Sequence, residues 1–405
     1  MKNYAKVAAL LGLSAVTLSA SGWRIPEQSL SSTALSAAYV AAANGADASY
    51  YNPANMVWMD NNSEIEMAFT YINLPSIKYT DAQNPAFNSS SKDEKFYVPT
   101  FHYVSPEVGN FRFGLSMVAP GGLSKRWDDA YGRATAEEFT LSVIELNPNV
   151  AYKVNDKFSV GFGLRAVYSE GIVKSDANGL GIPASRDLEG DSIDFGYNLA
   201  LSYKPIEDLT IATTYRSNVD LTEEGKASLN GTVYGANVTV PLPASLTFAA
   251  AYNFSKTTVE FVFERTYWSE YKNLDFGYSV DLTSTPLAAF DNPVGKNWKD
   301  VNAYRIGITH QYSDDLKLMA GFAIDKNGAP SDTVGFELPE SDAKLYSAGI
   351  EYAWNKDMKI GISYLYDEKE SRSINHRSAT NPAGVYGKYE NASAHLLTAS
   401  FKYKF

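Results

Sequence analysis

From residue 63 onward, apolar and polar positions alternate in segments of about ten residues, the period-two signature of strands with two unlike faces. Between Phe158 and Ser169, one face carries Phe158, Val160, Phe162, Leu164, Ala166 and Tyr168. The other carries Ser159, Gly161, Gly163, Arg165, Val167 and Ser169. The C-terminal segment sets Leu397, Ala399, Phe401, Tyr403 and Phe405 against Thr398, Ser400, Lys402 and Lys404. Fourteen such segments begin near 63, 97, 110, 139, 156, 190, 207, 243, 257, 299, 314, 343, 356 and 393. Connections after even-numbered segments are tight, as at Asn155-Asp156, Ser255-Lys256 and Asn355-Lys356. Those after odd-numbered segments are long, including 73–96, 171–189, 220–241 and 269–297. Many apolar faces end in an aromatic residue: Tyr168, Tyr203, Tyr312, Trp354, Tyr366 and Tyr403. A soluble sandwich also alternates. A Gly/Ser/Asn/charged second face, aromatic strand ends and alternating loop lengths are instead the pattern of a wall between lipid and a wet lumen. An even strand count lets the last strand close on the first and leaves no unpaired edge in lipid. The predicted fold is all-β: a fourteen-stranded antiparallel transmembrane β-barrel over 63–405.

The first 62 residues do not alternate. Residues 1–20 have a basic start (Lys2, Lys6), an apolar stretch from Val7 to Leu18 too short to span a bilayer, and small residues at Leu18-Ser19-Ala20. This is the layout of a Sec signal peptide, with the mature chain beginning near Ser21. Residues 21–62 are expected to form a plug, or hatch, because a barrel of fourteen strands is too wide for its own side chains to fill. The small-residue run from Ser29 to Ala43 can be helical, and Asn52-Pro53-Ala54 reads in isolation as a turn.

Composition narrows the chemistry. Zero cysteines among 405 residues exclude a disulfide scaffold or a thiol enzyme. A net charge of −11 argues against nucleic acid as a partner. The four histidines are scattered, no nucleophile motif is present, and no catalytic residue, metal or cofactor is expected. Aromatic residues make up 13% of the chain, with 28 Tyr. The mean hydropathy is only −0.25. That combination suits an amphipathic wall rather than a bundle of apolar helices.

Order and spacing of short motifs add a resemblance. Ser21-Gly22-Trp23, Asp47-Ala48 and Asn52-Pro53-Ala54 resemble the N-terminal hatch of the FadL/TodX outer-membrane transporters. His102 to Pro106, Trp298-Lys299-Asp300, Ala303 to Gly307, Ala323-Ile324-Asp325, Ser347-Ala348-Gly349 and the final strand are also similar. The resemblance implies a fourteen-stranded barrel plugged by a hatch. It also implies passive uptake of long-chain fatty acids or aromatic and aliphatic hydrocarbons in the bacterial outer membrane. A general diffusion porin is the alternative, and an outer-membrane lipase a more distant one.

Candidate functional positions follow. Pro120-Gly121-Gly122 ends the apolar run of the third strand, where proline and glycine weaken pairing with neighbouring strands. The alternative is that the strand simply stops there. By resemblance, this is the place of an inward kink through which solute leaves sideways, with the hatch near Trp23 as the moving part. Val118, Val143, Val167 and Leu365 are apolar on a nominally lumenal face and are expected either to line a ligand pocket or to pack on the hatch or loops. Arg165, Lys299 and Arg305 are cations open to a carboxylate ligand. For most of them the favoured reading is an internal salt-bridge network with residues such as Glu145, Asp194, Glu260, Glu264 and Glu351. Expected partners are the hydrophobic substrate, outer-membrane lipid and lipopolysaccharide, and the barrel-assembly machinery at Phe405. The chain is expected to be a monomer.

Overall fold

The computed structural model describes residues 22–375 and 385–405, and the expected signal peptide lies outside the described residues. Fourteen antiparallel strands form a closed barrel. They are β1 (Glu64–Leu74), β2 (Glu94–Val104), β3 (Phe111–Arg126), β4 (Glu138–Lys153), β5 (Phe158–Asp176), β6 (Ser185–Ile206), β7 (Leu209–Arg216 and Val219–Leu229), β8 (Thr232–Leu242 and Ser245–Phe254), β9 (Thr257–Thr266), β10 (Val301–Gln311), β11 (Leu316–Asp325), β12 (Ala343–Ala353), β13 (Met358–Lys369) and β14 (Ser393–Lys404). Closure joins β14 to β1 from Lys404 opposite Glu64 to His395 opposite Asn73. Ser63 and Phe405 exchange backbone hydrogen bonds of 3.0 Å just beyond that seam.

Two expected loops are strand instead. Residues 219–242 form a paired hairpin that continues β7 and β8. Much of 171–189 extends β5 and β6, which run for 19 and 22 residues. Roughly 9–11 residues suffice to cross a bilayer. These strands therefore project past the lipid, and there the outward side chains turn polar: Asp220, Thr222, Glu224 and Lys226 are all exposed. Lower on the wall the outward positions are apolar, with Phe195, Phe248 and Phe261 exposed. Tyr203, Tyr252, Tyr312, Trp354 and Tyr403 ring the short-turn end. At the long-loop end, Lys78–Asp81, Ser89–Ser90, Arg372–Ile374 and Gly387–Glu390 form a separate small sheet. Its Tyr79 and Tyr389 pack on Phe336.

The lumen is filled by residues 22–62. The expected helix from 29 to 43 is confined to α1 (Leu30–Ala34), capped by the Ser29 and Ser32 side chains. It stops because Ser36 and Ala37 adopt positive φ (49° and 59°), which turns the chain along the wall. A second short helix, α2 (Ala48–Tyr51), leads into a 3-10 segment, Pro53–Trp58, with Pro53 at its first position.

Candidate functional site

Close packing seats the hatch. Gly361, Gly349, Gly321 and Gly307 sit on adjacent strands β13, β12, β11 and β10, facing residues 30–38. A Cβ on Gly349 would stand 2.6 Å from the Ala34 methyl, and one on Gly307 would stand 2.9 Å from the Ala38 carbonyl. At Gly361 and Gly321 it would overlap Leu30 and the Leu35 backbone. These four lumenal glycines are therefore contact points with the hatch rather than a wet lining.

Backbone groups of the hatch are paired with the barrel. The Glu260 carboxylate accepts the N–H groups of Val40 and Ala41 at 2.7 Å and of Ala42 at 3.0 Å. Asn52 donates to the Val40 carbonyl and to Ser202 on β6. The Ala54 carbonyl accepts from Ser159 on β5 at 2.8 Å. Arg112, fully buried, donates to the carbonyls of Met56, Met59 and Asn62. Asn52, Pro53 and Ala54 thus form a docking corner between hatch, β5 and β6.

Near the middle of the wall β3 departs from β2. The two pair only from Phe101–Met117 to Val104–Gly114. The β3–β4 pairing continues to Arg126 with a register shift between Val118 and Gly121. Residues 118–125 are buried. The hatch takes the place of the missing strand. Ile25 N–H donates to the Pro120 carbonyl at 2.9 Å, and Gly122 N–H donates to the Trp23 carbonyl at 2.8 Å. The Gln28 amide both donates to and accepts from the Ala119 backbone at 2.8 Å. Backbone groups stripped from the wall need partners where water is scarce, and this segment supplies them. A Cβ on Gly121 would lie 3.0 Å from the Trp23 carbonyl and 3.2 Å from Leu242, so any side chain there crowds the approach.

The Trp23 ring belongs to an aromatic cage. Its centroid lies 4.5 Å from Trp268, 4.9 Å from Tyr271 and 5.6 Å from Trp298. Gly22, at φ +70°, passes directly beneath Trp268 and Trp298, where no side chain fits. Burial, with Glu337 nearby, pushes the Tyr271 hydroxyl well above its ordinary range, so it stays a neutral phenol. The cage forms one end of an apolar cavity with about 610 Å³ of empty volume, its open mouth included. Leu123, Phe139, Leu141, Val173, Val238 and Val240 supply the barrel-strand walls, and Leu274, Phe276, Val334 and Leu338 come from the long connections after β9 and β11. Its polar lining includes Glu223 and the ion pair between Lys296 and Glu337.

The expected pocket residues lie elsewhere. Val118, Val143, Val167 and Leu365 are buried, and the last three join the same apolar cluster as Trp23, yet none lines this cavity. Arg165 pairs with Glu145 at 2.9 Å, which also binds Arg216. Arg305 pairs with Glu264 at 3.5 Å and Asp325 at 3.4 Å. Lys299 is exposed, and it is Lys296, three residues earlier, that reaches the cavity. Trp23 and the Pro120-Gly121-Gly122 edge do come together. Among the described residues, no cluster of His, Asp and Glu is arranged to hold a metal.

Comparison places this architecture. The chain is 26% identical over 408 residues to a long-chain fatty acid transport protein of Escherichia coli O6:H1, covering 87% of each. It is 25% identical over 356 residues to outer membrane protein P1 of Haemophilus influenzae, covering 76% of this chain and 75% of the relative. In fold it is similar to the crystal structure of a Pseudomonas aeruginosa FadL homologue, with TM-score 0.83, 18% identity, and coverage of 95% and 99%. It is also similar to the Ralstonia pickettii toluene transporter TbuX, with TM-score 0.70, 18% identity, and coverage of 93% and 98%. Residues 11–405 match the family described as "Outer membrane protein transport protein (OMPP1/FadL/TodX)". The chain therefore belongs to this family of outer-membrane transport proteins.

Proposed function

We propose that the chain carries hydrophobic small molecules passively inward across the outer membrane, and that they leave the lumen sideways between β2 and β3. The relatives' names cover both a fatty acid and toluene, and an apolar cavity serves either. Burying a hydrophobic solute there is favourable by about 25 cal/mol per Å². One observation carries the route. Trp23 lines the cavity with its ring and holds the β3 edge with its carbonyl. A solute that displaces the ring also loosens the backbone pairs at Pro120 and Gly122, joining cavity to gap. The protein acts as a monomer in lipid and lipopolysaccharide, inserted by the barrel-assembly machinery through the strand ending at Phe405.

Replacing Gly121 and Gly122 by valine puts two branched side chains on the β3 edge that a leaving solute must pass, which obstructs the gap. Uptake of a labelled hydrophobic compound by cells is expected to fall by about tenfold or more, for a crowding penalty of ~1.4 kcal/mol or more. Gel mobility before and after heating should still report a folded barrel. Unchanged uptake in a correctly inserted variant rules out the lateral route.

A further inference from the structure

Two residues that line the cavity, Glu223 and Trp23, each carry a buried polar atom without a hydrogen-bond partner, while the Glu223 carboxyl is also bonded by Ser169. Glu223, on β7, is 4% exposed, and its Oε1 accepts no hydrogen bond. The Trp23 Nε1–H is likewise buried and donates to nothing. Buried polar groups in folded proteins are nearly always satisfied, and a site built to pair with a ligand group is where an exception has a use. The Glu223 position is also built for. Gly171 on β5 lies directly against its carboxyl, and any Cβ there would overlap it. Among the described residues Glu223 has no ion-pair partner, and the cavity's one lining cation, Lys296, is already bound to Glu337.

Ligand classes differ in how they answer these atoms. A hydrocarbon leaves both unpaired. A carboxylate ion can only accept, and it meets two lining carboxyl groups against one neutralised cation. A hydroxyl donates to Glu223 and can accept as well, and it suits a carboxyl group in either protonation state. We propose, on the transport reading above, that the cavity is a site for neutral hydrophobic molecules bearing a single hydroxyl group, such as alkylphenols or alkanols, and that Glu223 is the residue that selects them.

Three probes of matched size test this: para-heptylphenol, heptylbenzene and para-heptylbenzoate. Binding to the purified full chain in detergent is followed by tryptophan fluorescence at neutral pH. The phenol is expected to bind about tenfold tighter than the hydrocarbon, one hydrogen bond's worth in a dry site, with the benzoate weakest. Glu223→Leu abolishes the phenol preference without weakening heptylbenzene. Glu223→Gln keeps the preference and relieves the exclusion of benzoate. Gly171→Ala, which displaces the carboxyl without deleting it, should mimic Glu223→Leu and guards against misfolding of the latter. Equal binding of phenol and hydrocarbon, unaltered by these variants, overturns the hydroxyl site and leaves the apolar cavity intact. Failure of all three probes to bind wild-type protein overturns the transport reading instead.

Discussion

Glu260 shows how one residue can hold a plug in place. Its carboxylate gathers three successive hatch amides, Val40, Ala41 and Ala42, at 2.7–3.0 Å. Those amides follow the turn at Ser36 and Ala37 and have no helix to pair with. Hydrogen bonds to a charged acceptor contribute about 1.5–3 kcal/mol each, and unpaired buried donors cost a similar amount. Glu260→Ala is therefore expected to raise hydrogen exchange of residues 38–45 by about 30-fold, the equivalent of ~2 kcal/mol of local opening. Glu260→Gln, which keeps an acceptor, should fall between. The measurement is exchange by mass spectrometry on protein in micelles. Wild-type exchange in the alanine variant contradicts a docking role for this carboxylate.

Between strands, the glycine row on β10–β13 is the feature that fits hatch to wall. Gly321 meets the Leu35 backbone itself, which cannot swing aside as a side chain tip would. Overpacking of this kind costs typically 1–3 kcal/mol. Gly321→Val should leave the strand ladder intact, since β11 pairs on both sides through backbone groups. The expected outcome is a barrel with normal heat-modifiable mobility, whose cells admit bulky hydrophilic antibiotics more readily than wild type. Unchanged sensitivity in a folded variant argues that the hatch does not rest on this row. The same glycines mark a limit of sequence reading. Period-two alternation identifies lumenal positions, and Gly307 or Gly321 at such positions looks the same whether it faces water or a packed plug. Alternation located fourteen strands because lipid imposes apolar side chains at every second position. It failed at 219–242, where the strands pass beyond the lipid and outward residues such as Asp220 and Glu224 need not be apolar. The cavity was less legible still. Tyr271, Leu274, Lys296, Trp298 and Val334 come from loops folded inward, and loops carry no period. Trp23 and Trp298 were marked by resemblance to family motifs, and the Pro120-Gly121-Gly122 edge because a Pro-Gly-Gly in a wall strand breaks the local pattern.

At the scale of the molecule, barrel and hatch together decide what kind of permeability the protein has. A fourteen-stranded barrel alone encloses a lumen that its wall side chains cannot fill. Here residues 22–62 occupy it, with Trp23, Leu30, Leu35, Tyr39, Ala48 and Met56 all buried. Ion pairs and hydrogen bonds tie the segment to the wall, from Arg24–Glu264 on β9 to Arg112 on β3. On the route proposed above an apolar solute needs only the cavity and the β2–β3 gap, whereas ions and sugars must pass the packed hatch. Wild-type protein in a planar bilayer is therefore expected to show little or no steady ion conductance. Deleting residues 24–58, which leaves every strand of the barrel in place, should yield discrete openings of porin size. Large steady conductance of the wild-type chain would mean that the hatch does not seal the lumen, favouring the general porin reading over selective uptake. Equally low conductance from a deletion variant shown to be folded and inserted would mean that the long-loop end closes the barrel by itself, through Tyr79, Phe336 and Tyr389 beside the small loop sheet.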